Sequence, residues 1–139
     1  MNFGELLLSV FIGLQSIYRN SVSIYDASFP QILALIIIPS DGIEMSALSK
    51  KLGVDNSTAT RMITGLEKKD WIRRDRDKYD KRVIKVFLTT NGNKIQADLE
   101  SQFDKLGDII ENRIDFLDQN EMKENIASLN WILAKFTLK

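Results

Sequence analysis

The chain has 139 residues, 44% of them hydrophobic and 27% charged, and its 19 basic and 19 acidic side chains give a net charge of zero. This length and composition are those of one globular domain that buries its own core. Cysteine and histidine are both absent, which excludes disulfides, thiol and Ser-His-Asp catalysis, zinc–thiolate sites and oxidant sensing by cysteine.

The first predicted element is a helix from Met1 to about Val22, because apolar residues recur at helical spacing. They form two neighbouring stripes, one of Leu7, Phe11, Leu14 and Tyr18 and one of Leu6, Val10 and Ile17. So wide an apolar surface belongs either to the centre of the domain or to a contact with another subunit. The apolar stretch from Leu6 to Leu14 is too short to span a bilayer, and no basic residue precedes it as in a signal peptide. We therefore expect a cytoplasmic protein with no membrane partner.

A second helix is predicted after Ser28, which can cap it, and Pro30 is tolerated in its first turn. The apolar run 32–38 ends at Pro39, which disfavours helical geometry in the residue before it. Three consecutive isoleucines in this run are also compatible with a buried strand. The start signal at Ser28 favours the helix, and Ser40-Asp41-Gly42 then predicts a turn.

Two short helical patterns follow, and they have the dimensions of a helix-turn-helix. Gly53 stands between them, where a left-handed terminating residue belongs. Asp55 or Asn56 can cap the second helix, which is predicted to run to about Lys69. The first helix has an apolar side of Ala47, Leu48 and Leu52. The second has a buried side of Ala59, Met62, Ile63 and Leu66 and an exposed side of Ser57, Thr58, Thr60, Arg61 and Lys68.

Two strand-like runs come next, Trp71–Asp75 and Val83–Leu88, and the basic, polar residues between them predict a hairpin tip. The segment Lys50–Lys85 contains 12 basic and 6 acidic residues, a net charge of +6, which the rest of the chain cancels. A concentrated positive charge on this scaffold indicates a surface for a polyphosphate. The alternative is that these charges only form a solvated face.

Thr89 can cap a long helix, and Asp118-Gln119-Asn120-Glu121 has the form of a capping box that opens a last one. The two apolar stripes are Ile95, Leu99, Phe103, Leu106 and Ile110, and then Met122, Ile126, Leu129, Leu133 and Phe136. The three helices with apolar stripes at the two ends of the chain carry more apolar surface than the small central part of the chain can cover. Part of their surface is therefore expected to be a subunit contact.

A basic helix followed by a basic hairpin suits double-stranded DNA, because the helix fits the major groove. Hydroxyl side chains and arginine at its N-terminal half can reach base edges, and cations of the hairpin tip can enter the negative minor groove. The predicted DNA-binding residues are Ser57, Thr58, Thr60, Arg61, Lys68, Arg74, Arg76, Lys78, Asp80, Lys81 and Arg82. The alternative for Ser57, Thr58 and Arg61 is that they are caps and an ordinary surface residue. Five Lys or Arg among residues 74–82 repel one another unless an anion is present.

The chain resembles the MarR family of winged helix-turn-helix transcriptional regulators over essentially its whole length. The resemblance is carried by four segments: 45–54 (MSALSKKLGV), 57–61 (STATR), 66–69 (LEKK) and 80–92 (DKRVIKVFLTTNG). The last is the most specific, because Asp-x-Arg, a β run and Leu-Thr-x-x-Gly occur in the family's order and spacing. One departure is Asp70, which stands where the family usually has glycine. Aspartate tolerates left-handed geometry better than most residues, so the turn is expected to survive.

The resemblance implies a mainly α (α+β) fold, with a three-stranded wing sheet between N- and C-terminal dimerisation helices. It divides one domain, 1–139, into dimerisation helices at about 1–27 and 94–139 and a DNA-binding part at about 28–92. The recognition helix would be Asn56–Lys69 and the wing Trp71–Leu88. By the match, Arg82 would enter the minor groove, Asp80 would orient it, and Thr60 and Arg61 would contact DNA.

The resemblance therefore implies a homodimeric regulator, most simply a repressor on a pseudo-palindromic operator. Regulators of this type often respond to small, frequently aromatic or anionic molecules bound between the dimer helices and the winged domain. The candidates for such an effector site are Tyr18, Arg19, Tyr25 and Phe29, which could equally be ordinary core or rim residues.

Two other classes of function remain open from the residues. A winged-helix module could bind an acidic protein in place of DNA, without sequence-specific binding to DNA. An enzyme is not expected, because there is no Gly-rich phosphate loop and no metal-ligand cluster, and no spacing singles out a carboxylate pair among the 19. We predict no catalytic residue, no metal and no cofactor.

Overall fold

The computed structural model describes residues 1–137. Over this part of the chain the elements follow one another as α1 (Phe3–Ser21), α2 (Phe29–Ile37), β1 (Ile43–Glu44), α3 (Met45–Leu52), α4 (Asn56–Lys68), β2 (Ile72–Arg76), β3 (Ile84–Leu88), α5 (Thr90–Glu111), a 3₁₀ helix (Phe116–Asp118) and α6 (Gln119–Thr137). The predicted fold class, a winged helix-turn-helix between terminal helices, is confirmed. The predicted C-terminal segment ends in Leu138 and Lys139, which lie outside the described residues.

Helix α2 lies in the core, so the isoleucine run is helical and not a strand. Its first turn closes as a capping box, in which the Ser28 hydroxyl accepts from the N–H of Gln31 and the Gln31 side chain accepts from the N–H of Ser28. At its other end, the amide of Gln96 on α5 donates to the carbonyls of Leu35 and Ile38, each at 2.8 Å. The large side chains that are fully buried are Leu35, Ile38, Leu48, Ile63, Leu66, Ile72, Leu99 and Val86.

The wing is an antiparallel sheet with strand order β1-β3-β2. Strands β2 and β3 pair from Ile72 opposite Leu88 to Arg76 opposite Ile84, and the short β1 adds Ile43 opposite Val86. The predicted three-stranded sheet is present, and each strand of the hairpin begins one residue later than its predicted start. The connection of β2 to β3 is the exposed loop that was predicted as the hairpin tip.

Helix α1 contributes little to the core of its own chain. All of α1 is described, and none of its residues is buried. Its contact with the rest of the chain includes Tyr18, whose ring meets that of Phe103 on α5 edge-on, with centroids 5.2 Å apart. The large apolar side chains that α1 exposes are Phe3, Leu6, Leu8, Val10, Phe11, Ile12, Leu14 and Ile17. The apolar stripes of the first helix therefore face outward in the single chain.

The start of α6 differs from the sequence prediction. Asp118 lies inside the 3₁₀ helix that runs directly into α6, so it lacks the extended backbone of a capping residue. The carboxylate that caps this region is that of Asp115, which accepts from the N–H of Leu117 at 3.4 Å. The 3₁₀ turn takes up Asp118, the residue that the capping-box pattern placed at the cap, and Gln119 begins the helix as predicted.

Candidate nucleic-acid interface

The recognition helix α4 begins with a carboxylate cap. The Asp55 side chain accepts from the N–H of Thr58 at 2.7 Å. That backbone hydrogen bond is the main reason why the pKa of the Asp55 carboxyl lies below its usual value. Gly53, before it, has the predicted left-handed backbone with φ of 69°. Both local predictions for the helix-turn-helix are therefore confirmed.

The side chains of α4 divide as predicted, with two qualifications. Ala59, Ile63 and Leu66 are buried, whereas Met62 is only half-buried. Ser57, Thr60, Arg61 and Lys68 are exposed, and Thr58 is half-buried. The hydroxyl of Thr60 donates to the carbonyl of Asn56 at 2.7 Å, and Nη2 of Arg61 lies 3.5 Å from the Thr58 hydroxyl. Four of the five predicted residues of this helix thus face solvent.

A buried serine, which the sequence analysis missed, fixes α4 to α3. The Ser49 hydroxyl is 2.9 Å from the carbonyl oxygen of Ser46 and 2.8 Å from Oδ1 of Asn56, in the first turn of α4. Ser49 is 3% exposed, so its hydrogen bond to Asn56 is shielded from water and is costly to lose. The sequence signal would have been a hydroxyl residue on the apolar side of a helix.

The turn after α4 keeps its left-handed residue although glycine is replaced. Asp70 has φ of 62°. Its carbonyl accepts from the hydroxyl of Thr89 at 2.6 Å, and its carboxylate accepts from the amide of Asn91 at 3.1 Å. The expectation that aspartate tolerates this turn is confirmed, because two residues at the start of α5 hold it in place.

The tip of the wing is closed by its own side chains. The carboxylate of Asp77 accepts from the N–H groups of Tyr79 and Asp80, at 3.2 and 3.1 Å. Nη1 of Arg76 donates to the carbonyl of Lys81 at 2.7 Å. The remaining predicted cations of the tip, Lys78 and Lys81, are exposed. The tip is therefore an ordered loop that presents cations to solvent.

Arg82 extends from this loop and is paired with Asp80. Its side chain is 92% exposed. Its Nε lies 3.1 Å from Oδ1 and its Nη2 lies 3.3 Å from Oδ2 of the carboxylate. The guanidinium hydrogen bond, together with the N–H of Arg82, holds the pKa of Asp80 below its usual value. The pairing implied by the family resemblance is present, and contact of Arg82 with DNA stays a prediction.

The first turn of α4 adjoins the end of the wing loop and the start of β3. Asn56 and Arg82 line the same cleft, of about 290 Å³, whose other walls are Glu44, Met45, Ser46, Val83 and Ile84. The two predicted DNA-contacting elements therefore meet at this cleft.

Arg74 departs from the role that the sequence suggested. It is half-buried, and its guanidinium makes two hydrogen bonds to Glu67 of α4, from Nη2 to Oε1 at 2.8 Å and from Nε to Oε2 at 3.3 Å. These bonds lower the pKa of Glu67 and raise that of Arg74, so both remain charged. Arg74 lies in β2 and not at the tip. It is a bridge within the protein, and its charge is already neutralised.

A second cation of this segment is also paired within the protein. Nζ of Lys69 lies 2.8 Å from Oδ2 of Asp26, contacts the carbonyl oxygen of Asp26, and is 5.1 Å from the centre of the Trp71 ring. Asp26 belongs to the loop between α1 and α2 and has φ of 61°. This contact ties the loop after α1 to the end of the recognition helix.

The effector-site candidates are only partly brought together. Tyr18, Arg19 and Phe29 line a cavity of about 420 Å³ between α1 and the helix-turn-helix, with Phe11, Leu14, Gln15, Pro30, Leu33, Leu52, Val54 and Met62. The guanidinium of Arg19 lies 4.9 Å from the centre of the Phe29 ring. Tyr25 is 94% exposed in the loop and does not line this cavity. The turn at residues 25–26 leaves its side chain in solvent, and its place in an effector site stays a prediction.

Residues 1–137 contain neither a metal-binding cluster nor a membrane-spanning helix. No group of three or more carboxylates there could hold a metal ion. None of the helices in that range combines the length and apolar character needed to cross a membrane.

Comparison with known proteins identifies the fold and relates the central part of the chain to one family. The model of the MarR family matches residues 28–84. The HTH-type transcriptional regulator TtmR of Methylorubrum extorquens (strain PA1) is 25% identical over 113 residues, which are 81% of this chain and 57% of TtmR. The chain spans a little over half the length of the curated relatives it matches.

Two solved structures share the fold over almost the whole chain. A MarR transcriptional regulator from Methanosarcina mazei Go1 superposes with a TM-score of 0.80 and 24% identity, covering 96% of each chain. FabT of Streptococcus pneumoniae, in complex with DNA, superposes with a TM-score of 0.74 and 23% identity, again covering 96% of each chain. At these identities the superpositions establish the architecture.

Proposed function

The winged-helix part of this chain, residues 28–84, belongs to the MarR family, and we propose on this premise that the protein is a transcriptional regulator that binds double-stranded DNA sequence-specifically. It acts as a homodimer on a pseudo-palindromic operator, most simply as a repressor that occludes a promoter. The proposed activity is DNA binding, with no catalytic step. Its place of action is the cytoplasm.

The single observation that carries this proposal is the shared cleft of Asn56 and Arg82. A recognition helix that enters the major groove and a wing that enters the adjacent minor groove must lie on one face. Of the same two elements, α4 exposes Thr60 and Arg61, and the wing exposes Lys78 and Lys81. This face supplies both base-edge donors and cations for phosphates.

The exposed apolar surface of α1 supports a homodimer. A helix of 19 residues without one buried residue is not stable in water through propensity alone. Helix α6 likewise exposes Trp131, Ile126 and Phe136, at 62%, 57% and 68%. A second copy related by a twofold axis would cover such surfaces and duplicate the recognition face. Two faces related in this way predict half-sites about one helical turn (~10 bp) apart.

The cavity between α1 and the helix-turn-helix supports a response to a small molecule. Its volume of about 420 Å³ is within the range of ligand sites. Arg19 and Tyr18 offer a cation and a phenol beside the apolar ring of Phe29. An aromatic or anionic effector fits this chemistry. Its binding would act on operator affinity through α1, which carries the proposed dimer contact.

The test is a selection of genomic DNA fragments by the purified protein, followed by fluorescence anisotropy titration of a retained fragment and a scrambled duplex of equal length. We expect tight binding of the retained fragment, at least about 10³-fold tighter than that of the scrambled duplex, and a steep loss of affinity with salt. Equal, micromolar binding of both duplexes at physiological salt would refute the proposal. Capture of one stoichiometric protein without DNA would indicate the interaction module instead.

A further inference from the structure

The Arg74–Glu67 pair joins the two elements that the proposed function assigns to DNA. Glu67 lies in the last turn of α4, and Arg74 is the third residue of β2. We infer that Arg74 is a positioning residue, whose two-pronged bond to Glu67 sets the angle between recognition helix and wing and so supports operator discrimination. This inference rests on the proposed function and adds to it a residue that does not touch DNA.

The Arg74–Glu67 contact, called the clamp below, adds a side-chain link to the turn that already joins α4 to β2. Between α4 and β2 the chain passes through Asp70, and the N–H groups of Asp70 and Trp71 donate to the carbonyls of Glu67 and Leu66, at 3.0 and 3.2 Å. The core residues Leu66 of α4 and Ile72 of β2 hold the two elements together close to this turn. The Arg74–Glu67 contact is a further, polar attachment between the same two elements, on the side that stays partly exposed.

The chemistry of the pair suits a fixed angle. Two parallel hydrogen bonds from a planar guanidinium restrict orientation as well as distance, which one lysine ammonium cannot do. The Arg74 side chain is 27% exposed and that of Glu67 is 38% exposed. The pair is therefore less mobile than a fully exposed ion pair.

A neighbouring ion pair provides a matched control. Arg73 pairs with Asp75, and both residues lie in β2. The Arg73 guanidinium also lies 4.3 Å from the centre of the Phe87 ring on the adjacent strand. This pair has the same charges and nearly the same position along the chain, but it makes no link to α4.

The clamp and simple electrostatics predict opposite results for Glu67→Gln. Loss of a negative charge beside the DNA-binding face should tighten binding to any duplex. Loss of the clamp should weaken binding to the operator and leave binding to scrambled DNA unchanged or slightly tighter. The sign of the change in operator affinity therefore separates the two explanations.

The experiment is anisotropy titration of the retained genomic fragment and of the scrambled duplex at several salt concentrations. The variants are Glu67→Gln, Arg74→Gln, the double variant, and Arg74→Lys, which keeps the charge but not the planar fork. We expect each single variant to lose roughly tenfold in operator affinity, without a change in salt slope. The double variant should lose no more than either single one, since both remove the same contact. Asp75→Asn and Arg73→Gln should retain operator discrimination.

Three results would overturn the inference while leaving the proposed function intact. One is Glu67→Gln protein that binds the operator as well as or better than the unaltered protein. Another is an equal loss of affinity for both duplexes in the Arg74→Gln protein, with a salt slope smaller by about 1, as expected if Arg74 contacts a phosphate. The third is full additivity in the double variant. Circular dichroism at the titration temperature checks folding, and Arg74→Lys decides the outcome if Arg74→Gln does not fold. Equal binding of both duplexes by the unaltered protein would overturn the proposed function itself, and this inference with it.

Discussion

A β-carbon on Gly92 would lie 1.8 Å from the carbonyl oxygen of Trp71. This closeness arises because the N–H of Thr89 donates to the same carbonyl at 3.0 Å, while the Thr89 hydroxyl accepts from the N–H of Gly92. The first turn of α5 is thereby pressed against the turn that ends the recognition helix. The glycine of the Leu-Thr-x-x-Gly pattern is thus explained by space and not by backbone conformation.

Gly92→Ala is expected to destabilise the fold by about 3 kcal/mol, because an overlap with backbone forces α5 away from the turn. Urea unfolding followed by circular dichroism measures this loss. The matched control is Gly107→Ala in the same helix, where nothing lies within 4 Å of the new methyl group. That control should leave stability unchanged or raise it by about 1 kcal/mol. Equal stability of the two variants would contradict the close contact.

Arg82→Ala is expected to weaken operator binding about tenfold and to reduce the salt slope by about 1 if the side chain meets a phosphate. The reason is its 92% exposure at the cleft it shares with Asn56. Anisotropy titration over a range of salt concentrations measures both quantities. Arg113→Ala removes the same charge from an exposed residue after α5 and should have little effect. Unchanged affinity in the Arg82 variant would refute its contact with DNA.

Operator affinity is expected to be flat from about pH 5.5 to about pH 8, because no histidine is present to titrate there. The pKa of Asp80 is lowered by the Arg82 hydrogen bonds, from an ordinary value of 3.8. Because the pKa of Asp80 is depressed, its ion pair with Arg82 persists above the ordinary pKa of 3.8 and is lost as the pH falls through the lowered pKa. Anisotropy at constant ionic strength checks this, and a transition between pH 5.5 and 8 would contradict it.

Asp55→Ala is expected to lower the thermal midpoint by a few degrees, since the N–H of Thr58 loses its acceptor at the start of the recognition helix. Asp55→Asn keeps an acceptor oxygen and should behave almost like the unaltered protein. The depressed pKa of Asp55 implies that its stabilising effect is present near neutral pH and fades as the pH falls through the lowered value. The prediction fails if the alanine and asparagine variants melt together.

Val10→Glu is expected to disrupt the homodimer, because a charge on the exposed apolar side of α1 would be buried by a second copy. Val10 is 48% exposed in the single chain. Sedimentation velocity should show the unaltered protein at twice the 15.9 kDa of the chain and the variant shifted towards 15.9 kDa. Tyr25→Ser, at a position that is 94% exposed in the loop after α1, should stay dimeric. A monomeric unaltered protein would refute the dimer.

The starts of three helices were predictable from the residues alone. Ser28, Asp55 and Thr89 each accept a hydrogen bond from a backbone N–H three residues later. Such a cap depends on neighbours in the chain and on nothing more distant. The left-handed turn at Gly53 is local in the same sense. The helix-turn-helix and the hairpin follow from these signals together with the apolar spacing.

The partner of Arg74 was not predictable in this way. Arg74 and Arg82 both belong to the same basic run, yet one is bonded to Glu67 of α4 and the other projects from the wing. The position of Tyr25 outside the cavity that holds Tyr18 is a second example.

Sequence by itself therefore determined the elements, their caps and the basic character of one segment, because these depend on hydrogen bonds and spacing within a few residues. Packing of α4 against β2 determined that Arg74 would pair with Glu67, whereas Arg82, in the loop after β2, stays exposed beside Asp80. The physical reason is that an ion pair forms only where a carboxylate lies within about 3 Å of a cation. Residues that are far apart in the chain come that close only after folding.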